Sequence, residues 1–118
     1  MIDQLTMIDT GTMFRPDDLK GSMSYSINKL KKLAKELNIP IVLLHQLRKP
    51  SAGDLNRRPN KADLKETGTA VETPDCILLL HKDVKTNVYE IIVAKNRNGQ
   101  ADLVCEFSWD AKLARITY

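Results

Sequence analysis

Aromatic side chains are scarce in this chain, with one tryptophan, three tyrosines and two phenylalanines among 118 residues. Proteins that grip single-stranded nucleic acid by stacking its bases need rings at successive positions along a groove. Base stacking is therefore not implied, and any nucleic-acid contact falls to basic and backbone groups. Cysteine is also sparse: Cys76 and Cys105 are the only two, each inside an apolar strand-like run. That placement predicts buried free thiols rather than a disulfide or a metal site, and with it a cytoplasmic protein. No apolar run approaches the roughly 20 residues of a membrane-spanning helix, and no charged segment leads into an apolar signal core, so no membrane partner is expected. A glycine-rich loop ending in Gly-Lys-Ser/Thr is missing as well; the nearest letters, "ETGTAVE", lack that ending. These residues therefore do not encode their own cradle for nucleotide phosphates.

The length suits a single domain over residues 1–118. The formal net charge of +3 is too small to establish nucleic-acid binding, so the local distribution of charge matters more. Lys29, Lys31, Lys32 and Lys35 fall at helical spacing and read as a solvated face. Residues 48–61, with Pro50, Gly53, Pro59 and several arginines, read as a long exposed loop of basic character. "MIDQLTMI" reads as a strand and "DTGTMFRPDD" as a loop. The opening lies already inside a strand-like segment, as a cut through a larger domain would. Met23, Ile27, Leu30, Leu33, Ala34 and Leu37 form one apolar stripe, predicting a helix over Leu19–Leu37 capped by Asp17 or Asp18 and ended by Asn38 before Pro40.

"IPIVLLHQL" and "DCILLLH" are continuous apolar runs, the pattern of parallel strands buried on both faces. "NKADLKETG" predicts one or two helical turns capped by Asn60 and broken at Gly68. "NVYEIIVAK" and "LVCEFSW", joined through an Asn-Gly step, predict a β-hairpin, and "LARITY" a last strand. The order is α/β with an antiparallel end.

Four places carry residues with chemical potential. Asp3 follows an apolar strand start, where a carboxylate is either solvated or set to hold magnesium through water. His45 and Gln46 leave the end of a buried strand, the edge where open α/β sheets bind ligands. Gln46 then either hydrates or hydrogen-bonds a phosphate oxygen or an attacking water. His45 and His81 lack the spacing of metal ligands. The basic stretch from Arg48 through Arg57, Arg58 and Lys61 to Lys65 is either a surface loop or a tracker of phosphates, and "KETG" lets backbone N–H groups approach an anion. Lys95 and Arg97 alternate along a strand end, so they share a face and can act on one anion. With no local phosphate cradle, that anion would come from another chain.

In this order the landmarks resemble the C-terminal part of the RecA-like motor domain of DnaB-family replicative helicases, the ring-shaped hexamers of bacteria and phages. "IDQLTMI" is similar to the family's Walker B strand, "LKKLAKELNIPIVLLHQL" to its helix and glutamine-bearing strand, "RRPNKADLKETG" to its DNA loop and "EIIVAKNRNG" to its finger hairpin. The resemblance implies a partial RecA-like fold, a mostly parallel sheet flanked by helices with an antiparallel hairpin at its end. It implies that Asp3 is the magnesium-associated aspartate and that Gln46 senses the γ-phosphate. It places Lys65, Glu66 and Gly68, with Arg57 and Arg58 nearby, on single-stranded DNA. Lys95 and Arg97 then reach the nucleotide of a neighbouring subunit, Arg97 as an arginine finger. ATP and Mg2+ would act only in the complete domain, with the P-loop and the catalytic glutamate supplied by a separate N-terminal half, so this chain by itself is expected to be inactive.

Gln4, His45 and Lys65 depart from the family's usual tyrosine, serine and arginine, and Val71, Thr73 and Pro74 replace an expected acidic pair. A non-catalytic RecA-like module that binds single-stranded DNA or docks to a helicase is the alternative, and a recombinase or circadian-type relative a third.

Overall fold

The computed structural model describes residues 1–5, 8–15, 17–50, 56–64 and 68–117. The chain divides into two units, residues 1–48 with 64–74, and residues 49–63 with 75–118.

In the first unit the long helix α1 spans Leu19–Leu37, the bounds its apolar spacing predicts. Its start is fixed by Asp18, whose carboxylate accepts the Gly21 N–H at 2.9 Å and so satisfies one of the orphan donors of the first turn. A Cβ at Gly21 would collide with that carboxylate, so the cap and the glycine belong together. At the other end Asn38 takes the left-handed conformation (φ 50, ψ 45) and returns its N–H to Ala34 and Lys35, an ending that an asparagine tolerates better than most residues. The buried stripe of α1 is Met23, Ser26 and Ile27. Met23 and Ile27 pack with Leu5 and Ala70, flanked by Ile8 and Leu43. Ala70 belongs to the short helix α2, Thr69–Glu72, which is tied to α1 by a Thr69 to Ser24 hydroxyl hydrogen bond of 3.1 Å.

The opening segment meets "IPIVLLHQL" through one parallel bridge, Ile2 to Leu43. Ile2 N–H donates to Val42 O at 2.8 Å, Leu44 N–H to Ile2 O at 3.0 Å and Leu5 N–H to Leu44 O at 3.2 Å. The expected double burial is not observed here. Val42 is 56% and Leu44 41% exposed, while Leu43 between them is half-buried. A strand is buried on both faces only where layers cover both, and among the described residues the core lies on one side.

The second unit holds a four-stranded sheet: β1, Cys76–Lys82; β2, Tyr89–Asn96; β3, Leu103–Asp110; and β4, Arg115–Thr117. The strands lie in sequence order and every neighbouring pair is antiparallel. The sequence reading expected a mostly parallel sheet; among the described residues parallel pairing is confined to the Ile2–Leu43 bridge. The cause is connection length: residues 83–88, 97–102 and 111–114 are short turns, whereas a parallel return needs a crossover of about a dozen residues or more.

The hairpin expected at the Asn-Gly step is β2–β3, with Val93 opposite Leu103. Its connection is a longer loop rather than a two-residue turn. Asn96 organises it, accepting the Asn98 N–H at 3.1 Å and donating to Gln100 O at 3.4 Å. A Cβ on Gly99 would sit 2.9 Å from the Asn96 side-chain nitrogen and would push that amide aside. The last strand is also found, at Arg115–Thr117.

β1 corrects its reading in the same way as the first run. Ile77 and Leu79 are buried, yet Leu78 and Leu80 are 57% and 69% exposed. This alternation belongs to a strand with one covered face. It also overturns the expectation for the cysteines, which are free but exposed. Cys76 has the parity of Leu78 and Leu80, and Cys105 lies across from Ile91, which lies across from Leu80.

Candidate functional site

In the first unit the parallel hydrogen bonds run residues 2–5 and 42–44 in the same direction, so Asp3 and the His45–Gln46 pair emerge at the same, C-terminal edge. The Asp3 carboxylate and the Gln46 amide are exposed. His45 Nε2 is buried and has no hydrogen-bond partner among the described residues. No group of three or more histidine, cysteine, aspartate or glutamate side chains that could hold a metal occurs among the described residues. Asp3 alone offers one hard oxygen ligand, which fits a Mg2+ ion that keeps most of its waters and is bound mainly by phosphates.

In the second unit, Lys95 lies near the end of β2 opposite Ile77, and Arg97 follows one residue past the strand. A register shift falls between Ile77 and Leu78, so the strand bends just before the cationic pair. Arg97 is anchored through its backbone, its N–H donating to Asp75 O at 2.8 Å. Its guanidinium reaches the Asp75 carboxylate at 3.3 Å, with both side chains about half exposed.

Residues 56–64 of the basic middle segment hold more fixed contacts than a loop of that composition suggests. Residues Lys61–Leu64 form a 3-10 turn. Asn60 caps it as expected, its side chain accepting the Ala62 N–H at 2.8 Å while its own N–H donates to Asp63 Oδ2 at 2.7 Å. Arg57 forks onto Asp63 with hydrogen bonds of 2.7 and 3.1 Å. Arg58 forks onto Glu90, through Nε at 2.8 Å and a terminal nitrogen. Lys65 and Glu66 lie outside the described residues. Gly68 is exposed and helical (φ −53, ψ −33), and its carbonyl accepts the Val71 and Glu72 N–H groups at 2.9 and 3.0 Å. Gly68 is thus the N-cap of α2; the expected break of the preceding turns falls on residues 65–67, which lie outside the described residues.

The carboxylate partners Asp63, Asp83 and Glu90 were missed in the sequence. Glu90 carried the one available signal, a charge with the inward parity of Ile92 and Ala94 on β2. The hydrogen bond from Arg58, joined by its charge, holds the Glu90 carboxyl below the usual carboxylate range; Arg57 and the Asn60 N–H do the same for Asp63. A lowered folded-state pKa contributes stability above the unfolded value of about 4, and that stability is lost as the pH falls through the lower folded value. The thermal midpoint should therefore fall as the pH drops below the unfolded value of about 4, and Glu90→Gln should flatten that limb. An acid limb unchanged by Glu90→Gln would remove the pair from the stability of this unit.

The family model of the DnaB-like helicase C terminal domain matches residues 1–117. The replicative DNA helicase DnaB of Treponema pallidum (strain Nichols) is 38% identical over 116 residues, 98% of this chain and 25% of that protein. The replicative DNA helicase DnaC of Bacillus subtilis (strain 168) is 31% identical over 111 residues, 88% of this chain and 24% of that protein. A solved ATPase domain superposes with a TM-score of 0.78 at 25% identity, covering 88% of this chain and 39% of that one. The chain spans about a quarter of the length of the curated relatives it matches. No helix among the described residues is long and apolar enough to cross a membrane. The chain is α/β with a RecA-like fold and belongs to the DnaB-like helicase C-terminal domain family.

Proposed function

We propose that this chain is the DNA-contacting, finger-bearing half of a hexameric replicative helicase motor. A Walker A half completes its nucleotide site, and its neighbours in the ring are further helicase subunits. The observation that carries this reading is the hairpin end, where the Arg97 backbone is fixed to Asp75 and its guanidinium, about half exposed, stands at the surface beside the Asp75 carboxylate. A cation displayed this way suits an anion that arrives from outside the chain. Bound MgATP supplies the phosphoryl group whose transfer to water drives unwinding.

Asp3, at the edge of the parallel bridge, would hold a bound magnesium ion through water. Gln46, exposed at the same edge, would offer an amide N–H to the terminal phosphate and an amide oxygen to the attacking water, and so link the nucleotide state to its strand. Lys95 and Arg97 act on the nucleotide of the adjacent subunit, where Arg97's planar fork neutralises charge on the transferring group. Lys65, Glu66 and Gly68 follow single-stranded DNA through backbone N–H groups and one basic side chain. The few aromatics of the chain agree with a phosphate-reading mode.

Adding a Walker A half from a family relative to this chain tests the proposal. Neither half alone should hydrolyse ATP, and the mixture should do so with stimulation by single-stranded DNA. Salt-dependent DNA binding by this chain with no turnover on mixing would replace the proposal by a non-catalytic DNA-binding module.

A further inference from the structure

Asn56, Arg57 and Arg58 are three consecutive residues, and each has found a different carboxylate within its own unit. Asn56 donates from Nδ2 to Asp83 Oδ1 at 3.1 Å and accepts the Val84 N–H at 2.7 Å, which fastens the start of the segment to the β1–β2 turn. The same Asp83 oxygen accepts the Lys85 and Thr86 N–H groups at 2.8 and 3.2 Å, so the anchor point is itself braced. Arg57 grips Asp63 with two nitrogens and donates to the carbonyl of Arg58 at 3.1 Å. Arg58 grips Glu90, which is 4% exposed and lies between His81 and Glu106 in cross-strand register.

We propose that Arg57 and Arg58 are positioning residues that pin residues 56–63 onto the sheet of their own unit and fix the base of the DNA-contacting segment, instead of contacting DNA themselves. The inference rests on the helicase reading above and assigns these two arginines a role within it. Its first support is geometric. Both guanidinium forks are already matched to carboxylates, the planar pairing for which arginine is suited. For Arg58 to turn its fork to a phosphate it would have to leave Glu90 buried without its partner, which is strongly unfavourable, so at most its outer N–H groups remain for another anion.

The second support is electrostatic. Among these side chains, two guanidinium charges face the three carboxylates Asp63, Asp83 and Glu90, which leaves the cluster one charge negative. Glu106 adds further negative charge opposite Glu90 on β3. With both guanidinium charges matched by carboxylates, the basic letters "RR" add little net positive charge to this surface.

The test uses the assembly of this chain with its Walker A half. It measures single-stranded DNA affinity across a salt series and backbone hydrogen exchange in residues 56–64. Arg58→Gln should speed exchange in that segment at least several-fold, and adding Glu90→Gln should restore much of the protection. Arg58→Lys keeps the charge but loses the fork, and it should also speed exchange. In Arg58→Gln/Glu90→Gln the slope of log affinity against log salt should match the parent, whereas loss of one phosphate contact lowers it by about 0.7. Lys65→Ala is the comparison expected to show that lowering.

A slope reduced by about 0.7 in the double variant, or exchange unchanged in Arg58→Gln, overturns the anchor. A parent assembly without DNA-stimulated turnover instead defeats the helicase reading. The exchange result still decides whether the anchor exists.

Discussion

Arg97→Ala, introduced into the assembled motor, should lower DNA-stimulated ATP turnover by about three to five powers of ten while leaving nucleotide affinity within a few-fold of the parent. The size follows from what an arginine finger does. It meets charge that develops on the transferring phosphoryl group, so its contribution appears in kcat and hardly at all in ground-state binding. At about 1.4 kcal/mol per decade, that range corresponds to about 4–7 kcal/mol of transition-state stabilisation.

The resting place of the side chain is consistent with this duty. The Arg97–Asp75 pair spans 3.3 Å with both partners about half exposed, and exposed pairs of this kind contribute about 0–1 kcal/mol. Releasing Arg97 from Asp75 therefore costs far less than the finger returns. The backbone hydrogen bond to Asp75 O at 2.8 Å meanwhile keeps the base of the side chain in place. Asp75→Asn should accordingly leave turnover within a few-fold of the parent. Turnover of Arg97→Ala within ten-fold of the parent would remove the finger from the mechanism. Loss of nucleotide binding in the same variant would give Arg97 a ground-state role instead.

The largest effect on stability is expected from Met23→Ala, about 2–5 kcal/mol by denaturant unfolding. Met23 is 1% exposed and is the largest side chain so completely covered among the described residues. It sits in the cluster where α1 meets Leu5, Ala70 and Leu43. Leu5 and Leu43 belong to the two segments joined by the parallel bridge that carry Asp3 and Gln46. Truncating Met23 therefore removes packing from beneath both residues as well as from α1. Met23→Leu keeps most of the volume and should cost less than about 1.5 kcal/mol. A Met23→Ala loss below about 1 kcal/mol would mean that this cluster collapses around the missing atoms and does not hold the edge rigidly.

What was legible in the sequence had local causes. The bounds of α1 follow from a stripe at three- and four-residue spacing, an aspartate at its start and an asparagine before proline at its end, all within the same few turns. The β2–β3 hairpin follows from two apolar runs flanking turn residues. The face each strand covers was not legible, because a continuous apolar run such as "CILLLHK" reads the same whether one side is covered or both. The exposure of Cys76 and Cys105 went with that ambiguity. Nor was it legible that Arg58 would meet a buried Glu90, since the two lie 32 positions apart and only the folded sheet brings them together. Lys65 and Glu66 remain assignments by resemblance to the family's DNA loop.

The trans-acting finger can be tested by mixing two inactive assemblies. One carries Arg97→Ala with an intact Walker A half, and the other carries intact Arg97 with the Walker A lysine replaced in its accompanying half. If Arg97 serves the nucleotide of a neighbour, mixed rings regain DNA-stimulated turnover at every junction where an intact Walker A site faces an intact Arg97. If the mixture stays as inactive as its two components while the subunits are shown to co-assemble, Arg97 does not act across a subunit boundary, and the proposed division of labour is wrong.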